Sequence, residues 1–331
     1  MAVTYRIVVV GLGSIGLRHA RLLQEREDVA LEVLEISPET ATAAQQVLGA
    51  VKNHTSFEAM LATKPNIVWL ATPTPLHASQ SIQALEAGVH VFCEKPMTAT
   101  REEARQLASV VDRTGLTFGV GFYLHFWRGM QLLKGLIDQG KLGNILHLHA
   151  RVGTYITLVN SLSRYQAYNP GSLFFDYAHQ MDLVYWLLKK RPTTVYTPGF
   201  QGGNLEFSAA PNVADIMLEY DAPLIAHIHL NYVQMPQRHC YEITGDEGWA
   251  VLDFEQSHLR IGNRQAQAVE TVSFQQERDD IFRAEHTAFL EAVAGHRQPE
   301  TSAADGLIST AICEAILQSW QRGQKQRISY E

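Results

Sequence analysis

The chain has 331 residues, of which 46% are apolar and 18% charged, with 23 Gly and 12 Pro. That is the composition of an ordinary folded protein, and at roughly 150 residues per domain the length points to about two domains. With 27 Lys and Arg against 34 Asp and Glu, the net charge is negative, which excludes a global electrostatic footprint for nucleic acid.

The three cysteines, Cys93, Cys240 and Cys313, are far apart and form no CxxC pair. Neither a disulfide framework nor a thiolate metal site is expected, and a reducing compartment fits. The start, MAVTYRIVVVGLGSIG, reads as a strand entering a Gly-rich loop and not as a signal peptide. No stretch reaches the roughly 18 apolar residues of a membrane span. A soluble, cytoplasmic protein is the expectation.

Short apolar runs alternate with amphipathic stretches from residue 5 to about 121. Strands are predicted at Tyr5–Val10, Leu31–Ile36, Ile67–Ala71, His90–Cys93 and Thr117–Gly121. Helices are predicted at Ser14–Glu27, Pro38–Leu48, Pro75–Ala87 and Arg101–Asp112. This is the rhythm of βαβ units and a doubly wound parallel α/β sheet.

After residue 122 the rhythm changes. A helix at Gly129–Gln139 precedes β-rich runs at Ile145–Thr157, Val213–Tyr220, Leu224–Tyr232, Arg238–Thr244 and Trp249–Asp253, interrupted by one helix over Leu173–Lys189. Strands that follow one another pair antiparallel, so 122–331 reads as an α+β domain with a large open, mostly antiparallel sheet. Two closing helices, Ile281–Gly295 and Ala303–Arg322, complete the chain, the last expected to pack back on the first domain.

The turn Gly11-Leu-Gly13-Ser-Ile-Gly16 follows the first strand and opens the first helix, the context a dinucleotide fingerprint requires. Gly11 permits the tight turn, Gly13 lets backbone approach a pyrophosphate, Gly16 permits close helix–strand packing, and the helix N-terminus supplies donors. Glu35, 24 residues after Gly11, stands where a carboxylate accepts from ribose hydroxyls and repels a 2′-phosphate; otherwise it is a solvated strand end. No Lys or Arg follows it at once, so NAD is favoured over NADP. Arg18 and Arg21 read as a solvated helix face.

Cys93-Glu94-Lys95-Pro96 comes at the carboxyl end of a predicted strand, where ligands of parallel sheets bind. Lys95 there can exchange a proton with a substrate hydroxyl, or be a solvated loop residue, and a cis bond before Pro96 is one way to aim it. Asp176, His179 and Asp182 recur at three-residue steps on the predicted helix, a spacing at which a carboxylate can orient an imidazole. His147/His149 and His227/His229 pair on strand faces, with no carboxylate or Cys nearby in sequence to complete a metal site, and no metal is expected. Tyr155, Tyr165, Tyr168 and Trp186 can offer aromatic stacking faces to a ligand or serve the core.

GLGSIG, ATPTPLHA at 71–78, AGVHVFCEKP at 87–96, the Asp176/His179/Asp182 segment and DGLISTAICEAILQS at 305–319 together resemble the Gfo/Idh/MocA oxidoreductases across essentially the whole chain. The family is named for glucose–fructose oxidoreductase and inositol dehydrogenase. The resemblance implies a Rossmann domain (1–121), a substrate and oligomerisation domain (122–331), and NAD(P)-dependent hydride transfer on a sugar, a nucleotide-linked sugar or a cyclitol. It implies a homodimer or homotetramer through the second domain's sheet. Lys95 and His179 become the acid/base residues, supported by Asp176. Leu12, Ser14, Ile15, Ala71, Thr72, Pro73, His77 and Glu94 border the cofactor, and Tyr123, His125, Tyr155 and Arg164 face the substrate. The family often has Asp four residues before the His, where this chain has Phe175. The competing reading is a non-catalytic dinucleotide-binding sensor or scaffold; both Lys95 and His179 being present argues for the enzyme.

Overall fold

The computed structural model describes residues 5–160 and 165–331. Its contacts divide the chain into two units. The first runs to Phe126 and takes in Glu277–Thr310; the second comprises Trp127–Gln276 and Ala311–Glu331.

The first unit opens with β1 (Tyr5–Val10), α1 (Ser14–Gln24), β2 (Val29–Leu34), α2 (Pro38–Leu48), α3 (Phe57–Ala62) and β3 (Ile67–Leu70). It continues with α4 (His77–Glu86), β4 (His90–Glu94), α5 (Arg101–Thr114), β5 (Phe118–Gly121) and a 3₁₀ turn, Tyr123–Phe126. The five strands lie in the order β2-β1-β3-β4-β5, and every pairing is parallel. This is the predicted Rossmann sheet, and its central strands are continuous apolar runs because helices cover them.

Local chemistry sets the helix ends. Ser37 and Ser56 cap α2 and α3, and Thr100 with Glu103 forms a capping box on α5, which Gly115 ends in the left-handed region. The predicted helix Pro75–Ala87 begins later, at His77, after a 3₁₀ turn over Thr74–Leu76, and α3 was not foreseen because six residues hold too little periodicity.

The second unit begins with α6 (Arg128–Asp138), β6 (Ile145–Gly153), α7 (Ile156–Asn160), α8 (Ser172–Asp176) and α9 (Ala178–Leu188). Then come β7 (Thr194–Tyr196), β8 (Gly199–Phe200), β9 (Val213–Glu219), β10 (Ile225–Asn231), β11 (Arg238–Gly245), β12 (Gly248–Asp253), β13 (His258–Asn263) and β14 (Ala268–Ser273). The chain closes through α10 (Arg278–Val293), α11 (Ala303–Arg322) and β15 (Gln326–Arg327).

These strands form one sheet in the order β14-β13-β12-β11-β6-β10-β9-β7-β15, with β8 on β9. Among the described residues all pairings are antiparallel except β6 with β10, which are separated in sequence by three α-helices, a 3₁₀ turn and three strands. Alternation makes the sheet two-sided: Leu148, Ala150, Ala226, Ile228, Ile216 and Ile243 are buried on the inner face, toward α6, α8 and α9. The outer face carries His149 and His227, whose rings stack at 4.7 Å.

The structure corrects three expectations here. The strand expected over Ile145–Thr157 ends at Gly153 and gives way to α7. The single helix expected over Leu173–Lys189 is broken at Tyr177, which has φ -98° and ψ 28°. Its residues are apolar nearly all round, so no stripe marks the break. Finally, the sheet extends by β13 and β14 beyond the predicted strands; β14 is almost wholly exposed and carries no apolar alternation.

Candidate active site

In the first unit, Gly11 sits at φ +84°, and a Cβ on it would lie 2.8 Å from the Ala71 carbonyl oxygen. A Cβ on Gly16 would come within 1.9 Å of the Gly11 oxygen, whereas Gly13 has nothing within 4 Å of that position. So Gly11 and Gly16 serve the turn and its packing, and Gly13 borders open space.

Gly13 is also the N-cap of α1 and offers no side-chain acceptor to the first-turn amides. Those donors, with the positive end of the helix dipole, fit a pyrophosphate. At the end of β2, Glu35 accepts from the Leu12 N–H at 2.7 Å and from the Ser37 N–H at 2.8 Å. Its carboxylate is thereby tied to the Gly-rich turn, at the place where a ribose carrier belongs. Asn53 clasps the backbone of Glu35 on both sides, its Oδ1 accepting at 3.0 Å and its Nδ2 donating at 3.2 Å. No local sequence pattern signals Asn53. Arg18 and Arg21, expected as a solvated helix face, both pair with Asp279 of α10 while staying partly exposed.

The loop after β3 carries Ala71, Thr72 and Pro73. The buried His77 ring bridges it to the loop after β4: Nε2 lies 2.7 Å from the Thr72 carbonyl oxygen and Nδ1 2.9 Å from that of Pro96. Burial holds His77 below the ordinary histidine range, and a neutral ring donates to one of these carbonyls at a time.

The Lys95–Pro96 bond is cis. The Lys95 N–H donates to Glu94 Oε2 at 3.1 Å, and Glu94 Oε1 lies 2.8 Å from His19 Nε2. Beyond β5, Tyr123 stacks on Phe282 with centroids 4.8 Å apart, and burial raises its phenol above the usual value. His125 is buried, its Nδ1 3.6 Å from Glu300 Oε1.

In the second unit Asp176 closes α8 and His179 lies in the first turn of α9, so the two are not on one continuous helix. Asp176 Oδ2 accepts from Gln166 Nε2 at 3.1 Å and from the Tyr232 hydroxyl. Burial, reinforced by the Asp176 charge, holds that phenol well above its usual range. His179 and Asp182 are buried. Tyr155 follows β6, its N–H on the Gln234 carbonyl at 3.0 Å. Tyr168 is 78% exposed, and Trp186 is buried with the Lys134 ammonium 5.6 Å from its ring centroid. Arg164 lies outside the described residues.

On the outer sheet face Asp215 Oδ1 lies 2.9 Å from both His227 Nε2 and His229 Nδ1, a carboxylate that sequence distance had hidden. Among the described residues, no group of three or more His, Cys, Asp or Glu is arranged to hold a metal ion.

Residues 5–122 match the family model described as "Oxidoreductase family, NAD-binding Rossmann fold", and residues 130–251 match the "GFO/IDH/MocA C-terminal domain". The chain belongs to the GFO/IDH/MocA oxidoreductases. Like other members it carries an NAD-binding Rossmann fold at its start. It is 27% identical over 300 residues to 2,7-anhydro-N-acetylneuraminate hydratase of Escherichia coli, covering 88% of this chain and 79% of the relative. It is 24% identical over 335 residues to inositol 2-dehydrogenase of Salmonella paratyphi B, covering 98% and 96%. The fold superposes on scyllo-inositol dehydrogenase from Lactobacillus casei, solved with NAD(H) and scyllo-inositol, with a TM-score of 0.84 at 22% identity over 98% of this chain and 99% of that one.

Proposed function

We propose that the protein transfers a hydride between nicotinamide and a secondary hydroxyl or ketone of a sugar, a sugar derivative or a cyclitol. One observation carries this reading. Lys95 stands at the carboxyl end of β4 in an NAD-binding fold, its backbone tied to Glu94. The names of the inositol dehydrogenase relatives favour polyols as substrates.

When bound, nicotinamide supplies the two-electron acceptor or donor for the substrate carbon. The chain supplies the rest. The uncapped amides of α1 hold the pyrophosphate, with Gly13 leaving room for it. Glu35 accepts from the adenosine ribose hydroxyls and disfavours a 2′-phosphate. His77 keeps the loops after β3 and β4 in register. Lys95 hydrogen-bonds the reacting oxygen and His179 exchanges its proton, with Asp176 supplying negative charge along the chain from it. Tyr123, His125 and Tyr155 are assigned to substrate contacts.

Cofactor binding is assigned to residues 1–121, and substrate binding and self-association to 122–331. We place a second copy of the chain on the outer sheet face, where Tyr196, Met217 and Ile225 are at least 40% exposed. The cytoplasm is the proposed compartment, since Cys93, Cys240 and Cys313 form no disulfide.

The test is a screen of free sugars, anhydro sugars, inositols and nucleotide sugars with NAD and with NADP. It reads both NADH formation and, because one relative is named a hydratase, substrate consumption by NMR. NAD-dependent turnover of a polyol supports the reading. Tight NAD binding with no turnover of any of them would favour a sensor or scaffold instead.

A further inference from the structure

Inside the first unit a chain of polar groups runs through an aromatic core. His19 on α1 is fully buried, with its ring 5.2 Å from Trp69, 5.8 Å from Phe92 and 5.4 Å from Phe282 between centroids. A Phe or Leu would suit such a cage better than an imidazole, whose nitrogens must find partners there. They do: Nε2 lies 2.8 Å from Glu94 Oε1, and Nδ1 lies 2.8 Å from Nε2 of His286 on α10, itself fully buried.

The direction of the chain follows from its acceptor end. A carboxylate only accepts, so His19 carries its proton on Nε2 and donates to Glu94. His19 Nδ1 is then an acceptor, and His286 must donate to it from its own Nε2. Burial, with the neighbouring His19 adding to it, holds His286 well below the usual histidine range, consistent with a neutral ring. The other Glu94 oxygen receives the Lys95 N–H at 3.1 Å.

We propose that His19 and His286 are positioning residues for Lys95, acting through the Glu94 carboxylate. The proposal rests on the reading of Lys95 as the hydrogen-bond donor to the reacting oxygen. His286 fixes the His19 tautomer, His19 fixes one Glu94 oxygen, and the other oxygen fixes the Lys95 backbone. The polar chain thus transmits the rigidity of α1 and α10 to the loop after β4, which His77 also holds at the Pro96 carbonyl.

Two independent measurements test this. In the cofactor-free protein, ¹⁵N-histidine NMR should show slowly exchanging Nε2-bound protons on both rings, and His286→Phe should move the His19 Nδ1 resonance. A Nδ1-protonated His19 would overturn the proposal without any substrate. With the substrate found by screening, His19→Phe should lower kcat at least tenfold, toward the ~100-fold that a misplaced group can cost. NAD affinity and KM should stay within about twofold. His19→Gln, whose amide nitrogen mimics Nε2, should recover most of kcat, and His19→Asn, which mimics Nδ1, should not. Equal rescue by both, or an unaltered kcat in His19→Phe, would overturn it. Full turnover in Lys95→Ala would instead remove the functional reading on which it rests.

Discussion

The Glu94 carboxylate occupies the space that a Cβ on Gly121 would need: Oε1 stands 2.7 Å from that point and the Glu94 Cα 3.2 Å. The two residues face each other across the β4–β5 pairing. A methyl group here must push a side chain already held by His19 and the Lys95 N–H. Gly121→Ala is therefore expected to bind NAD within about threefold of the parent and to lose at least about tenfold in turnover, the scale set by small misplacements of a reacting group. Steady-state kinetics beside calorimetric NAD titration will show it; parent-like turnover would make the orientation of Glu94 immaterial.

The three glycines of the turn separate stability from cofactor binding. Gly16→Ala forces a Cβ to 1.9 Å from a backbone oxygen and should cost about 1–3 kcal/mol, as overpacking does. Gly13→Ala meets nothing within 4 Å, and its extended backbone suits Ala. The melting temperature of Gly13→Ala should match the parent while NAD affinity falls about tenfold or more. Thermal unfolding with and without NAD distinguishes the two variants.

Glu35 should govern the choice between NAD and NADP. Losing a charge-assisted acceptor costs about 1.5–3 kcal/mol, or roughly 10–150-fold in NAD affinity, and removing its charge relieves repulsion of a 2′-phosphate. Glu35→Gln is thus expected to weaken NAD and narrow or invert the preference over NADP. An unchanged ratio of the two kcat/KM values would assign Glu35 to the turn alone, through its bonds to Leu12 and Ser37.

The cofactor turn was legible in the sequence because its requirements are local: a strand, three glycines, a helix start. Ala303–Arg322 was likewise legible to the residue. The groups behind the site were not. His19 touches Glu94 and His286 across 75 and 267 residues of chain, and Asp215 reaches two histidines of the neighbouring strand. No window or period encodes such pairs. The break at Tyr177 was hidden for another reason: buried on most sides, α9 has no amphipathic stripe for a periodic reading to follow.

His179 lies in the first turn of α9, and its proposed proton exchange is separable from cofactor binding. His179→Ala should lower kcat by about 10²–10⁴, the usual worth of general acid–base help, with the NAD dissociation constant nearly unchanged. Rapid-mixing measurement of the hydride step with a deuterated substrate would locate the loss. If kcat holds, His179 has no part in the chemistry.

Acid should destabilise the fold through half-buried histidines held in the neutral form. His239 lies face to face with Phe254 at 3.6 Å, and Phe254 stacks in turn on Trp127 at 3.6 Å. Burial pushes His239 down to about 3, and burial followed by the charge of His227 pushes His149 down to about 4. In the unfolded chain both take up a proton near about 6.5. Below that pH the unfolded state therefore binds more protons than the native one, so their contribution is fully present above about 6.5 and is lost as pH falls toward the folded values. At pH ~5 one such histidine costs at most about 2 kcal/mol, from about 1.4 kcal/mol per unit. His239→Phe keeps the stacked ring and removes the titration. Urea unfolding at pH ~7.5 and ~5 should show a smaller loss of stability for His239→Phe than for the parent, with His149, His77 and His286 accounting for part of what remains. An identical loss in both proteins would mean that His239 is protonated in the native state.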